Sequence, residues 1–353
     1  MTSDLHITNY TEYSKHSLVA TFIDPLTKIE GFVAFYRLNL KYPAFGATRI
    51  WSYHTYKDGL EDALRLAKIM MYKNAMASTP YPGAKSVIVS DKLSPQKRTG
   101  LLKRYAQFIN FLSGRFVTGA DVGVTSNDVK VMKTVCKDYI VGIKVDPVFY
   151  TVKGLLVSLD TALKEVFGST DLSNKTLAVQ GVGKTGALFV HELSKKVKKI
   201  YITDIQKQRA KRISARYKNV YSVRPEDIYK QKVDIFSPCA LGGILNRTTI
   251  KRIKSSIIIG TANNQLESPD IGDKLHAMGV FYAPDYIVNA GGVISVVHEY
   301  ENKRVFRKDL GHRVERISET LEKVINYSKK RHISNRQAAD ELAEEIINHR
   351  DNI

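Results

Sequence analysis

Two lysines and one aspartate in the first half of the chain have settings that could support acid–base chemistry. Lys73 lies in Met-Tyr-Lys-Asn-Ala, Lys85 in Pro-Gly-Ala-Lys-Ser-Val and Asp121 in Thr-Gly-Ala-Asp-Val-Gly. A lysine ammonium binds a carboxylate, whereas a lysine amine with a lowered pKa accepts a proton. Surface lysine is the ordinary alternative in a chain with 54 basic residues, so these motifs need support from their surroundings.

A glycine-rich turn follows an apolar stretch in the second half of the chain. It reads Gly181-Val182-Gly183-Lys184-Thr185-Gly186, which fits the G-x-G-x-x-G pattern of a dinucleotide-binding strand, turn and helix. Such glycines allow a tight turn and close approach to a pyrophosphate, and the helix N-terminus supplies N–H donors. A P-loop does not fit, because Ala178 stands where that motif needs glycine.

An acidic residue after the next apolar stretch bears on the choice of cofactor. Asp204 follows the turn by about 20 residues, where a carboxylate accepts hydrogen bonds from the adenosine ribose. A carboxylate there repels the 2′-phosphate of NADP, so the sequence favours NAD. Lys207 and Arg209 lie close by in sequence and leave NADP open as the alternative.

The elements that must position these residues predict an α/β protein with two domains. Leu60, Leu64, Ala67 and Met71 recur at helical spacing, which predicts a helix from about Asp58 to Met76 that carries Lys73. From about residue 176, short apolar strands alternate with helices, which requires crossover connections and a mostly parallel sheet. The strands are expected at 32–35, 87–89, 177–180, 200–203, 233–236, 257–260 and 281–283.

We therefore predict an N-terminal α/β substrate and catalytic domain over residues 1–143 and a Rossmann-type dinucleotide-binding domain over residues 144–330. A cleft is expected to separate them, with a hinge near residues 140–150 that closes it for the reaction. A helix is predicted from about Val314 to Lys329. A final helix, opening at Ser334 with Gln337 in a capping box, is predicted within a C-terminal segment, residues 331–353, that packs back on the first domain.

Composition excludes several other classes of protein. The chain has 353 residues, 43% hydrophobic and 25% charged, and no apolar run approaches the roughly 20 residues that span a bilayer. With no visible signal peptide and only Cys136 and Cys239 as cysteines, a cytoplasmic protein is expected. The net charge of +19 is scattered rather than clustered, so no nucleic-acid partner is expected. His191-Glu192 and His298-Glu299 lack the second histidine of a zinc motif, and no metal site is predicted.

Further motifs, taken in order, resemble the amino-acid dehydrogenases of the glutamate/leucine/phenylalanine/valine superfamily, most closely the leucine dehydrogenase branch. The resemblance covers nearly the whole chain. Besides the lysine, aspartate and glycine motifs, it includes Gly46-Ala47-Thr48-Arg49, Pro238-Cys239-Ala240-Leu241-Gly242-Gly243, Asn263-Asn264-Gln265-Leu266 and the segment from Ala283 to Val293. It implies reversible, NAD-dependent oxidative deamination of an L-amino acid by a homo-oligomer.

The resemblance also implies a role for each matched residue. Lys73 would hold the substrate carboxylate, Lys85 would be the general base that activates water, and Asp121 would exchange a proton with the amine. The substrate side chain would be lined by Phe45, Gly46, Gly119, Val293 and Val296. The cofactor would contact Gly181, Val182, Gly183, Lys184, Thr185, Asp204, Ile205, Thr151, Cys239, Ala240, Asn264 and Asn289.

The predicted side-chain pocket contains no charge, so an aliphatic, leucine- or valine-like substrate is expected because an unpaired carboxylate would be costly to bury. The chain departs from the family at Pro82 and Ala84, which flank a single glycine, at Ala47, and in a shortened loop over residues 145–150. These departures keep open an aromatic L-amino-acid dehydrogenase for phenylalanine or tryptophan and a non-catalytic relative that binds NAD. The net charge alone keeps open a nucleic-acid-associated protein.

Overall fold

Residues 6–39, 41–302 and 304–351 are described by the computed structural model, and the chain divides into two units. The first unit comprises Met1–Asp146, Ser295–Val305 and Ile347–Ile353. The second comprises Pro147–Ile294 and Phe306–Ile346. The predicted α/β class is confirmed, with an N-terminal α/β unit and a Rossmann-like parallel sheet in the second unit.

A five-stranded sheet in the order β1-β2-β4-β3-β5 forms the centre of the first unit. Strand β2 pairs antiparallel with β1 and β4, whereas β3 runs parallel to β4 and β5. The elements are β1 (His16–Ile23), β2 (Glu30–Tyr36), β3 (Ala44–Trp51), α1 (Tyr56–Met76), β4 (Gly83–Val89), α2 (Pro95–Phe111), β5 (Phe116–Val117) and α3 (Ser126–Lys133).

Helix α1 begins at a complete capping box. Thr55 accepts a hydrogen bond from the Asp58 N–H, and the Asp58 carboxylate accepts one from the Thr55 N–H. The predicted helix is therefore confirmed, starting two residues earlier than expected because the cap lies outside the apolar repeat. Leu60, Leu64 and Met71 are buried along its inner face, so the helix is held against the sheet mainly by apolar burial.

Strands β3 and β4 have two faces with different chemistry. Ala84 and Ile88 of β4 lie in the apolar core that also contains Leu101 and Tyr105 of α2. Side chains alternate across a strand, so Lys85 lies on the opposite face, and Ala47 of β3 is its direct neighbour in the pairing. This alternation places the predicted catalytic lysine on the α1 side of the sheet.

A parallel sheet of six strands, in the order β11-β10-β9-β6-β7-β8, forms the centre of the second unit. Its strands are β6 (Thr176–Gln180), β7 (Lys199–Thr203), β8 (Val220–Ser222), β9 (Ile235–Pro238), β10 (Ile257–Ile258) and β11 (Phe281–Tyr282). The remaining helices are α4 (Pro147–Phe167), α5 (Lys184–Leu193), α6 (Lys207–Ser214), α7 (Pro269–Ala277), α8 (Asp285–Val288), α9 (Gly291–Glu301), α10 (Arg307–Glu315), α11 (Ile317–Arg331) and α12 (Asn335–Asp351). The strands predicted after residue 176 all appear within two residues of their expected limits.

The C-terminal segment differs from the prediction in two ways. The helix predicted from Val314 is interrupted at Arg316, so that α10 ends and α11 begins there. The start of α12 is as predicted, since Ser334 Oγ accepts a hydrogen bond from the Gln337 N–H at 3.1 Å.

Residues 331–353 were expected on the first domain, whereas the structure groups residues as far as Ile346 with the second unit and only the end of α12, from Ile347, with the first. Polar contacts explain this placement. Arg336 pairs with Asp273 at 3.0 Å, and Asp340 accepts a hydrogen bond from the Tyr286 hydroxyl at 2.8 Å. Most of α12 is therefore fixed within the second unit.

The boundary between the units also falls later than expected. The carboxylate of Glu299 accepts hydrogen bonds from the backbone N–H groups of Ile143, Lys144 and Val145, at 3.3, 3.0 and 3.2 Å. Glu299 belongs to the part of α9 that groups with the first unit. Residues 143–145 are thereby held in the first unit, and the second unit begins at Pro147.

No helix within residues 6–39, 41–302 and 304–351 combines the length and apolar character that crossing a bilayer requires.

Replacing Gly46 by alanine tests the close approach of β3 to β4. A Cβ at Gly46 would lie 1.8 Å from the carbonyl oxygen of Ala84, so the strands must separate. We expect Gly46→Ala to lower the free energy of unfolding by about 1–3 kcal/mol, measured by urea denaturation. Gly100→Ala in α2 is the matched control, because its Cβ would meet only the flexible end of Arg104, and it should be neutral or stabilising. Equal stability of Gly46→Ala and wild type would contradict this packing.

Candidate active site

Lys85 and Asp121 form a buried ion pair in the first unit. Lys85 lies in β4 with 4% of its surface exposed, and its Nζ is 2.7 Å from Asp121 Oδ2. Asp121 follows β5 in a segment that continues alongside β3, because the Asp121 N–H donates to the Thr48 carbonyl and the Thr48 N–H donates to the Gly119 carbonyl. Backbone pairing therefore fixes the carboxylate opposite the lysine.

Arg49 of β3 is a second cationic partner of Asp121. Its Nε lies 3.0 Å from Asp121 Oδ2, the same oxygen that Lys85 contacts. Its other end pairs with Asp62 of α1, at 2.7 Å between Nη1 and Oδ2. Asp62 also contacts Arg65, one turn further along α1. Lys85, Asp121, Arg49, Asp62 and Arg65 are called the charged cluster below.

The pKa values of the buried pair follow from this arrangement. Burial lowers the pKa of the Lys85 amine below its ordinary value, and the nearby charge of Arg49 adds to this effect, while Asp121 opposes it. Burial works against ionisation of Asp121, but the charges of Lys85 and Arg49 outweigh it and hold the pKa of that carboxyl well below its usual range. The site thus contains a lysine disposed to lose its proton beside a carboxylate that stays ionised.

Lys73 lies in the last turn of α1 and is half-buried. It is three helical turns from Asp62, so the two residues share one face of the helix. The adjacent Asn74 is fully buried and donates through Nδ2 to the carbonyls of Phe45 and Pro82, both at 3.2 Å. These bonds fix the end of α1 that carries Lys73 against the starts of β3 and β4.

Aromatic rings surround Phe45, which is one of the residues predicted to line the substrate side chain. The ring of Phe45 is fully buried and lies 5.3 Å from the Tyr81 ring and 5.7 Å from the Tyr300 ring, centroid to centroid. The Tyr81 hydroxyl donates to Glu301 Oε1 at 3.0 Å. Phe45, Tyr81 and Tyr300 all belong to the first unit and form a cluster of three aromatic rings.

The other residues predicted to line the substrate side chain lie in both units. Gly119 is buried, and a Cβ there would lie 3.2 Å from the Val141 carbonyl. Val296 is near Gly142, whose Cβ would lie 3.7 Å from a Val296 methyl group. Gly119 and Val296 belong to the first unit, and Val293 belongs to the second.

Two of the departures from the family pattern lie on different faces of the sheet. Ala84 is part of the apolar core shared with α2, on the face opposite Lys85. Ala47 pairs directly with Lys85 and lies on the same face as the lysine. A Cβ at the retained Gly83 would lie 2.2 Å from the Met71 backbone nitrogen. The methyl group of Ala84 therefore takes no space on the face of the sheet that carries Lys85, whereas the methyl group of Ala47 takes space on that face.

The three glycines of the glycine-rich turn in the second unit have different steric surroundings. Gly181 has a φ of +93°, and a Cβ there would lie 2.6 Å from the Ala240 Cβ. A Cβ at Gly186 would lie 2.0 Å from the Gly181 carbonyl oxygen, so this glycine allows the helix to pack on the turn. At Gly183, where α5 begins, a Cβ would meet no atom within 4 Å. The backbone there is open to a ligand approaching the helix N-terminus.

Asp204 directly follows β7 and is almost completely buried, with its carboxylate turned to the glycine-rich turn. Its Oδ2 accepts a hydrogen bond from the Val182 N–H at 3.0 Å, and its Oδ1 accepts one from the Gln206 N–H at 2.8 Å. Arg209 Nη1 also lies 3.2 Å from Oδ2. The next residue, Ile205, is 91% exposed. Asp204 therefore forms an ion pair with Arg209, which is one of the two basic residues that kept NADP as the alternative cofactor.

Thr151 and Asn289, two polar residues predicted to contact the cofactor, also lie in the second unit. Thr151 donates through Oγ1 to the Pro147 carbonyl at 2.7 Å. Asn289 is buried and donates through Nδ2 to Asn263 Oδ1 at 2.9 Å, while its Oδ1 is buried without a hydrogen-bond partner in the described part of the chain. An oxygen of this kind is a place where a ligand N–H would be expected.

Two more of the residues predicted to contact the cofactor, Cys239 and Ala240, directly follow β9. A third, Asn264, lies after β10. Burial raises the pKa of the Cys239 thiol, which is the opposite of what a nucleophile needs. Ala240 is exposed beside Gly181, and Asn264 has a φ of +53°. Together with the open turn and the unpartnered Asn289 oxygen, these residues fit a nicotinamide dinucleotide. Across residues 6–39, 41–302 and 304–351, no group of three or more His, Cys, Asp or Glu residues could hold a metal ion.

Sequence reasoning assigned no role to Arg49 or Asp62, although Arg49 belongs to a motif quoted above. The signal was present: Arg49 is an even number of residues from Phe45 and Ala47 along one strand, and Asp62 shares a helix face with Lys73. What the pattern lacked was the pairing of β3 with β4, which brings Arg49 to the lysine side.

Comparison with known proteins gives the family. Residues 190–350 match "Glutamate/Leucine/Phenylalanine/Valine dehydrogenase", and residues 23–138 match "Glu/Leu/Phe/Val dehydrogenase, dimerisation domain". The chain is 38% identical to leucine dehydrogenase of Geobacillus stearothermophilus, over 97% of this chain and 94% of that protein. It is 36% identical to phenylalanine dehydrogenase of Lysinibacillus sphaericus, over 82% and 78%.

The fold agrees with these matches. The crystal structure of L-tryptophan dehydrogenase from Nostoc punctiforme superposes with a TM-score of 0.79 at 34% identity, covering 96% of this chain and 98% of that one. With two family matches spanning both halves of the chain and full-length relatives above 30% identity, the chain belongs to the glutamate/leucine/phenylalanine/valine family of amino-acid dehydrogenases, in its leucine dehydrogenase branch.

Proposed function

We propose that this protein catalyses the reversible, NAD-dependent oxidative deamination of an apolar L-amino acid to the 2-oxo acid and ammonia. The observation that carries the proposal is the buried pair of Lys85 and Asp121, 2.7 Å apart, with Arg49 on the same carboxylate oxygen. A non-catalytic relative would have no need to keep a lysine buried at such a cost in desolvation. Family membership supports the same reaction.

Each candidate residue has a distinct task in this reaction. The Lys73 ammonium binds the substrate carboxylate. NAD⁺, when bound, would supply the acceptor for a hydride from Cα, and the substrate would be left as an imine. The Lys85 amine then takes a proton from water as the oxygen adds to the imine carbon. Asp121, ionised at rest, accepts a hydrogen bond from the amine and exchanges a proton with it transiently, so that the proton taken up by Lys85 leaves with the ammonia.

The apolar residues indicate the class of substrate side chain. Phe45, Gly119 and Val296 carry no charge, so a carboxylate side chain would lose its hydration without a partner. We infer a branched aliphatic substrate such as leucine or valine. An aromatic substrate is the second candidate, because Gly119 adds no side chain and the Tyr81 and Tyr300 rings lie beside Phe45.

We propose NAD rather than NADP as the cofactor. Asp204 is buried against the glycine-rich turn, where its negative charge opposes a 2′-phosphate. Lys184 and Thr185, at the start of α5, and Ile205, exposed beside Asp204, would border the bound dinucleotide. Arg209 offsets part of the charge of Asp204, so the preference should be graded rather than absolute.

We infer a homo-oligomer, in line with the match to a dimerisation domain over residues 23–138. A cytoplasmic setting is proposed because Cys136 and Cys239 are both buried thiols. The scattered positive charge supports no nucleic-acid site.

The direct test is NADH formation with a panel of L-amino acids at alkaline pH, in wild type and Lys85→Ala. We expect turnover with leucine, valine or isoleucine, and loss of about 10³-fold or more in kcat in Lys85→Ala, since the base is removed. The affinity for NAD, measured by calorimetry, should stay within a few-fold, because the glycine-rich turn lies in the other unit.

Lys103→Ala, at an exposed lysine of α2, is the matched control and should retain full activity. Loss of NAD affinity in proportion to the loss of rate would count against Lys85 as the base. A wild-type protein that binds NAD and oxidises no amino acid would favour the non-catalytic alternative. Faster oxidation of phenylalanine or tryptophan than of leucine would establish the aromatic alternative.

Cofactor choice is tested with Asp204→Ser and Arg209→Ala. We expect Asp204→Ser to narrow the ratio of kcat/KM for NAD over NADP by about tenfold, because one charge-assisted hydrogen bond to the ribose is lost. Arg209→Ala should widen that ratio, since it removes the cation nearest the carboxylate. Equal use of NAD and NADP by the wild type would show that the basic residues determine the choice and that our assignment of Asp204 is wrong.

A further inference from the structure

Arg49 joins two carboxylates that belong to different elements of the first unit. Its Nε is 3.0 Å from Asp121 Oδ2 and its Nη1 is 2.7 Å from Asp62 Oδ2. The guanidinium group is planar and donates from several edges at once, so it can hold both acids in a fixed geometry. A lysine at this position could not span them in the same way.

Asp62 is in turn held by more than Arg49. Its Oδ2 accepts a hydrogen bond from the Tyr53 hydroxyl at 2.5 Å, and its Oδ1 contacts Arg65. Tyr53 lies between β3 and α1, and Arg65 lies on α1 itself. Asp62 is therefore fixed from three sides and has little freedom to release Arg49.

The formal charges of the charged cluster balance in only one protonation state of Lys85. Asp121 and Asp62 carry two negative charges, and Arg49 and Arg65 carry two positive charges. With a neutral Lys85 the sum is zero, whereas a protonated Lys85 adds one uncompensated positive charge in a buried site. The balance favours the amine, which is the form that a general base needs.

We propose that Arg49 and Asp62 are positioning residues that act on Lys85 in opposite directions: Arg49 occupies the carboxylate of Asp121, so that Asp121 does not retain the proton on Lys85, whereas Asp62 pairs with Arg49 and limits this effect. This inference rests on the proposed function and extends it to two residues that contact neither substrate nor cofactor in the reaction described above.

The groups that surround Lys85 predict opposite effects at the two positions. Arg49 from β3 lowers the pKa of Lys85, while Asp121 from the segment after β5 and Asp62 from α1 raise it. Arg65 and Tyr53 act on Asp62. Removing Arg49 should therefore raise the pKa of Lys85, because Asp121 then interacts with the Lys85 ammonium without a competing cation. Removing the negative charge of Asp62 should lower the pKa of Lys85, because Arg49 then pairs with Asp121 alone.

The test is the pH dependence of kcat/KM for amino-acid oxidation in Arg49→Gln and Asp62→Asn. We expect the ascending limb to move to higher pH by about one unit in Arg49→Gln and to lower pH in Asp62→Asn. Arg49→Lys keeps the positive charge but not the two-sided contact, so its limb should stay near that of wild type while kcat falls. General damage to the fold would not move the limb in opposite directions.

Arg104→Gln is the matched structural control. It breaks the pair between α2 and the buried Asp24, on the face of the sheet opposite Lys85, and should lower the melting temperature without moving the limb. Circular dichroism and melting temperature establish that each variant is folded. Limbs that stay at the wild-type pH in both Arg49→Gln and Asp62→Asn, or that move in the same direction, would overturn the proposal.

A second measurement does not depend on turnover. The rate at which trace acetic anhydride labels Lys85, followed by peptide mass spectrometry as a function of pH, reports the fraction of free amine in each folded variant. The midpoint should rise in Arg49→Gln and fall in Asp62→Asn. A wild type without amino-acid-dependent NADH formation would refute the proposed function alone, because labelling would still decide whether Arg49 and Asp62 control Lys85. Unchanged midpoints would refute the present proposal.

Discussion

The buried contact between the Lys85 ammonium or amine and the Asp121 carboxylate is the constraint on which the first unit depends. A lysine with 4% exposure is costly unless it is paired or neutral. Here Asp121 lies 2.7 Å away, and together with Arg49, Asp62 and Arg65 it makes the charged cluster neutral when Lys85 is the amine. The same low exposure that makes the lysine expensive also lowers its pKa. The cost in stability and the capacity for catalysis have one physical origin.

Strand register determines whether this contact can form. Lys85 alternates with Ala84 and Ser86, which lie on the opposite face, so a slip of one residue in β4 would turn the lysine into the apolar core. Gly46 permits the close approach of β3 and β4, and backbone bonds from Thr48 hold the segment that carries Asp121. In the second unit the glycine-rich turn depends in the same way on packing, since Gly181 and Gly186 are the positions where a side chain cannot fit.

Local patterns predicted helix α1, the strands of the second unit and the turn at Gly181, because each depends on periodicity or on a short motif. The alternation of strands and helices was enough for the α/β class. The place of α12 was not predictable from its own sequence, since Arg336 finds Asp273 only through tertiary folding. Arg49 and Asp62 were missed for a related reason: their ion pair joins a strand to a helix, and neither residue shows by itself that its partner is near. The roles of Lys85 and Asp121 were predicted from the family resemblance. The structure adds their distance and their burial, which explain physically why this lysine could act as a base.

The most direct test of this account is the pH dependence of the free energy of unfolding in wild type and Lys85→Met. The pKa of Lys85 is lower in the folded state than in the unfolded chain, so the unfolded chain binds more protons between these two values. The stability of wild type relative to Lys85→Met should therefore rise with pH across this alkaline window, up to about pH 10.4, by about 1.4 kcal/mol for each unit by which the pKa is lowered. A difference that stays constant or falls with pH would show that the folded protein keeps Lys85 charged, and would contradict its role as a base.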